Sequence, residues 1–170
     1  MTTAEIAKTI RTEIKNKLGH TAKAVSVRTH NYSMGSSIRV VIRTAAAVED
    51  AATIREIAER RQSIRRCEMT GDILSGGNRY VTVDIGREAK AELATPDLVA
   101  AVSSARDEAA ADPGAIVRVT ESISIAERSG DVEIWTTQGE HGTRGRSIYG
   151  GCSDEVIAAE VALAENAAGC

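Results

Sequence analysis

A chain of 170 residues, 42% hydrophobic and 26% charged, can bury a sizeable core and is too apolar and too evenly charged to be a disordered polymer; one compact domain over residues 1–170 is the expectation. Aromatic residues make up 2% with no Phe, so the core falls to Val, Ile, Leu and Ala, and few large rings remain to anchor an interface or stack on bases. The net charge of −3 hides a division: residues 1–87 hold 15 Lys+Arg against 9 Asp+Glu, net +6, and residues 88–170 hold 6 against 15, net −9.

Such a division fits a basic surface offered to a polyanion, or two sub-lobes, 1–87 and 88–170, of complementary charge. Cys67, Cys152 and Cys170 are odd in number and far apart, which speaks for a reducing cytoplasm and against a disulfide frame or a structural zinc. Residues 1–16 lack an apolar leader, and no stretch approaches the roughly 18 apolar residues of a membrane helix. A soluble cytoplasmic protein without a membrane role follows as the expectation.

Thr2 and Glu5 have capping-box spacing, and Ile6, Ile10, Ile14 and Leu18 recur every four residues up to Gly19, which predicts a first helix. Residues 23–29 and 37–43 alternate apolar and polar, with Arg28, Arg39 and Arg43 opposite the Val and Ile row, and read as a hairpin. Residues 48–62 have acids early and arginines late, suiting a helix. Residues 63–69 and 78–85 read as a second strand pair around TGDILSGG. Thr95-Pro96-Asp97 starts another helix that stops at residues 112–114. Ile123, Ile125, Val132 and Ile134 then alternate across a turn at residues 128–130. Residues 138–151 are glycine-rich and polar and read as a mobile recognition loop. Ser153-Asp154-Glu155 caps a last helix. The expected class is α+β, antiparallel hairpins packed on helices in the order α-β-β-α-β-β-α-β-β-α.

Within VSVRTHNYSMGSSIRVVI, the residues Ser26, Val27, Arg28, Tyr32, Ser33, Gly35, Ser36, Ser37, Ile38, Arg39 and Val40, followed later by Gly77, Asn78, Arg79 and Tyr80, resemble the signature of the large polyvalent protein-associated domains. AEIAKTIRTEIKNKL is similar to that family's opening helix, so the resemblance covers about residues 2–85 and leaves 86–170 unassigned. It implies a setting: proteins of phages, plasmids and other mobile elements in a bacterial host, often beside DNA-processing or counter-defence modules. No catalytic residue comes with it. Where family members tend to place a Trp or an acidic residue after the second strand, this chain has Ile42-Arg43-Thr44-Ala45.

Four groups could carry chemistry. In the turn, Tyr32, Ser33, Ser36 and Ser37 bring hydroxyls and amides around Gly35 that suit a phosphate or carboxylate; the plainer account gives Gly35 a positive φ and lets the serines bond locally. Arg28, Arg39 and Arg43, with Arg60, Arg61, Arg65, Arg66 and Arg79, could track a phosphate backbone, or form a solvated face paired with acids. Cys152 before the last helix, with His141 as the nearest base, is a weak pattern for nucleophilic catalysis. The loop with Glu140, His141, Arg144 and Arg146 matches no P-loop, and the histidines have no metal-ligand spacing.

The function expected from setting and charge is a non-enzymatic mobile-element accessory protein. It would bind a host or element protein complex, for instance as a counter-defence inhibitor, with Glu133, Glu140, His141, Arg144 and Arg146 as contacts and no cofactor or metal. The alternatives are a nucleic-acid-binding accessory protein that uses the Arg-rich first half, and a cysteine-dependent enzyme.

Overall fold

Thr2 and Glu5 form the reciprocal cap their spacing predicts. The Thr2 amide donates to the Glu5 carboxylate at 2.6 Å, the Glu5 amide donates to the Thr2 hydroxyl at 3.3 Å, and Gly19, at φ 74°, closes the helix. This helix, α1 (Thr3–Leu18), buries Ile6, Ile10 and Ile14 on one stripe. The cap's hydrogen bonds hold the Glu5 carboxyl below its ordinary range.

The computed structural model describes the chain except residues 113–114, 129–130, 139–141, 149–151 and 169–170, and gives the backbone alone at 128, 137–138, 142–148 and 168. The chain is α+β, with helices and two small, mostly antiparallel sheets. Its contacts divide it into two units, Met1–Ala89 and Lys90–Cys170. The first has 15 basic and 10 acidic residues, net +5, and the second 6 and 14, net −8.

In the first unit, β1 (Val25–Tyr32) and β2 (Gly35–Ile42) pair antiparallel around a two-residue turn, Ser33-Met34. After α2 (Ala45–Val48) and α3 (Ala51–Glu59), β3 (Asn78–Ile85) lies on the other side of β2, parallel to it. That corrects the expected second hairpin. A helical crossover returns the chain to the end where β2 began, so β3 runs in the same direction as β2. The buried Val25, Val27, Ile38, Val40, Ile42 and Val81 share one face, on which α1 and α3 pack with Ile54 and Ile57. The helix α4 (Arg87–Leu93), for which the sequence suggested no element, follows β3.

Residues 63–69 are not a strand. They form only isolated bridges, Ser63 to Arg79 and Arg66 to Ile73, in an arm over 63–77 whose glycines Gly71, Gly76 and Gly77 have positive φ. Asn78 pins both sides of it: 4% exposed, it accepts from the Arg65 amide at 2.9 Å and donates to the Leu74 carbonyl at 2.7 Å. Replacing Asn78 by Ala orphans both groups and is expected to lower stability by about 1–3 kcal/mol in chemical denaturation. Asn78→Asp should do no better at neutral pH, because it keeps the acceptor for Arg65 but sets a buried carboxylate oxygen against the Leu74 carbonyl.

In the second unit, Thr95 caps α5 (Pro96–Ala111), its hydroxyl accepting from the Leu98 amide at 3.4 Å. Four antiparallel strands follow: β4 (Val117–Arg118), β5 (Ile123–Arg128), β6 (Asp131–Gln138) and β7 (Gly142–Ile148), then α6 (Asp154–Ala168). Val102, Ile123, Ile125, Ile134, Ile157 and Val161 form the core. Arg106 of α5 joins it to α6 by an ion pair with Asp154 at 2.6 Å. The glycine-rich stretch expected as a mobile loop instead supplies β7, whose backbone pairs with β6 from Val132↔Ile148 to Gln138↔Gly142. Backbone pairing needs no side-chain pattern, so GTRGRSI can form a strand without alternating apolar residues.

Candidate functional site

Helices cover one face of the first sheet, and the register arranges the other in cross-strand rows. Tyr32, Gly35 and Asn78 make the first row, next to the turn; His30, Ser37 and Tyr80 the second; Arg28, Arg39 and Thr82 the third; Ser26, Val41 and Asp84 the fourth. Strand alternation alone sends all of these to the face opposite the helices, where the arm over 63–77 covers Asn78. The face is aromatic near the turn and cationic beyond it. Arg28, His30, Tyr32, Arg39 and Thr82 are exposed, and the His30 and Tyr32 rings stand 5.9 Å apart at 30°.

Arg28 and Arg39 face each other directly across β1 and β2. Arg39 donates to Asp84 at 2.7 Å and Arg43 to Glu88 at 2.9 Å. Among the described residues Arg28 has no ionic or hydrogen-bonding partner. Around these groups the surface sinks into a concavity of about 340 Å³, which Arg87 also lines. Four arginines and two carboxylates thus meet there. The Glu88 carboxyl lies below its ordinary range because of its own backbone amide first and the Arg43 guanidinium second.

Gly35 permits this geometry for a reason other than a positive φ. It is not among the glycines with positive φ, but a Cβ built on it would lie 2.4 Å from the Asn78 carbonyl oxygen and 3.4 Å from the Tyr32 ring. The glycine lets β3 approach β2 and lets the Tyr32 ring lie across the strand.

Of the residues singled out in the sequence, Arg28, Arg39, Arg43 and Tyr32 thus share one surface. Ser36 falls on the helix-bearing face with Ile38, and Ser33 sits in the turn, so the turn does not gather these hydroxyls around an anion. Arg60 and Arg61 pair with Glu13, and Arg79 donates to the Arg61 carbonyl at 2.6 Å; none of the three joins the cluster. Arg66 donates to the Gly71 carbonyl within the arm, next to Arg65. Glu133 stands on β6 opposite Ala126 and Ser147; Arg144 and Arg146 are β7 positions opposite Thr136 and Ile134. Glu140 and His141 lie outside the described residues. Tyr80, Thr82, Asp84 and Arg87 were not singled out as a group, though the period of two in NRYVTVDI already set the first three on one face.

The thiols divide differently from the sequence reading. Cys152 packs against the core of the second unit. Cys67, in the arm, has a thiol held below its ordinary range by the Thr70 hydroxyl first and the Thr70 and Met69 amides next. Alkylation by iodoacetamide at neutral pH is therefore expected to be faster at Cys67 than at Cys152, and Thr70→Ala should slow it a few-fold in a mass-spectrometric time course. Among the described residues no group of three His, Cys, Asp or Glu side chains is placed to hold a metal ion, and no helix is long and apolar enough to cross a membrane.

No family model matches the chain, nor does any curated protein or solved structure.

Proposed function

We propose that the protein is a non-enzymatic binding protein whose first unit takes nucleic acid on the open face of its sheet. The carrying observation is the like-charged pair Arg28 and Arg39, directly opposite and both exposed, beside Arg43 and Arg87. Like charges so placed cost a sheet stability. A row of phosphates would relieve that repulsion and replace the exposed Asp84 and Glu88 contacts, which are worth little in water. The resemblance to mobile-element domains adds a setting in which nucleic acid is close at hand. A host or element protein as partner is supported by that same setting and by the −8 charge of the second unit, whereas nucleic acid is supported by an assembled surface.

The test is fluorescence anisotropy with a labelled oligonucleotide across a salt series. Binding at low salt, with log K falling against log salt by about 0.7 to 0.9 for each phosphate contact, is the expected result. No binding at low salt, or an affinity indifferent to salt, would sink the reading.

A further inference from the structure

Resting on that reading, we propose that the nucleic acid is a single strand, laid along β2 with unpaired bases on the ring-bearing half of the face and phosphates at the arginine half. Two features of the rows select this over a duplex. First, the rings flank small residues: His30 and Tyr80 stand on either side of Ser37, and Tyr32 beside Gly35. Neighbouring strands are about 4.8 Å apart, so His30 and Tyr80 are separated by about 10 Å at the backbone, with only the short Ser37 side chain between them on the middle strand. An unstacked base can reach across the short Ser37 and meet a ring face; a paired base keeps its faces against its neighbours in the stack.

Second, the charge lies at one end of the rows. From Tyr32 to Ser26 the face runs six residues, about 20 Å at 3.3 Å per residue. Arg28 and Arg39 occupy the third row, and Arg43 and Arg87 the concavity beyond the fourth. A duplex presents phosphates on both sides of each groove and would meet rings in place of arginines over half of this face. A flexible single strand can set the phosphates of some nucleotides against the arginines and turn the bases of the next ones onto the rings.

The probe is a labelled oligo-dT of about twelve nucleotides, within the span such surfaces commonly cover, compared with a mixed-sequence duplex of equal length. The single strand is expected to bind the tighter of the two. Tyr32→Ala, at a side chain 40% exposed, should weaken the single strand about ten-fold, near the low end for a lost base–ring stack, and leave any duplex binding unchanged. An unchanged denaturation midpoint for the variant separates lost stacking from lost folding. Tighter binding of the duplex, an equal loss on both probes, or displacement of oligo-dT by poly-glutamate of matched charge as readily as by oligo-dT itself would overturn the single-strand proposal while leaving an anion-binding face. Failure of both probes at low salt would remove the nucleic-acid reading beneath it.

Discussion

Replacing Arg28 and Arg39 together by Ala is expected to weaken oligonucleotide binding about 30-fold and to flatten the salt dependence by about 1.4, two lost contacts at about 0.7 each. The affinity figure takes each exposed guanidinium–phosphate contact at about 1 kcal/mol, since both side chains stand in water, and about 2 kcal/mol is about 30-fold. Folding should survive the change. Arg28 has no ionic or hydrogen-bonding partner among the described residues, and Arg39 has only its exposed bond to Asp84. Removing two like charges from opposite positions relieves repulsion, so stability should stay within about 0.5 kcal/mol or rise slightly. Asp84→Asn should act in the opposite direction. It frees the Arg39 guanidinium and removes a carboxylate from the concavity, and affinity should rise about three-fold. A double variant that still binds with the same salt slope would place the phosphates elsewhere.

How far the sequence foretold this surface can be followed strand by strand. The period of two in residues 25–43 set Arg28, Arg39 and Arg43 against Val25, Val27, Ile38 and Val40, and the sheet keeps that division. The Thr2–Glu5 cap, the stop at Gly19 and the Thr95-Pro96 start were equally visible, because each depends on residues within one helical turn. The direction of β3 was not. NRYVTVDI alternates in the same way whether it runs parallel or antiparallel to β2, and only the crossover through α3 decides between them. With the direction unknown, Tyr80 and Thr82 could not be set beside Ser37 and Arg39. The expected strand over 63–69 failed for a different reason: its sequence reads as the partner of residues 78–85 around TGDILSGG, but the order of the arm over 63–77 comes from Asn78, which is buried and lies outside it. The role of Gly35 was hidden likewise, since a close approach between strands leaves no local mark beyond the glycine itself.

Gly35→Ala is expected to cost the first unit about 2–6 kcal/mol. The new Cβ would meet the Asn78 carbonyl oxygen at 2.4 Å and its carbon at 3.3 Å, both of them backbone atoms. No rotamer change clears such a contact, so β3 must move away from β2 at its first residue. Overpacking of this kind costs about 1–3 kcal/mol on its own. Moving Asn78 adds to it, because the same residue holds the Arg65 amide and the Leu74 carbonyl, and a buried polar group left unpaired costs about 1–3 kcal/mol more. Against a total stability of about 5–15 kcal/mol, much of the margin would go. The expected signs are a lower denaturation midpoint and faster proteolysis in residues 63–77, since the arm is tied to the sheet through Asn78. Because Tyr80 follows two residues later, the ring-bearing half of the open face should be disturbed before the arginine half. Gly35→Ala should therefore lose single-strand affinity even under conditions where it remains folded, and wild-type stability in this variant would refute the close β2–β3 approach.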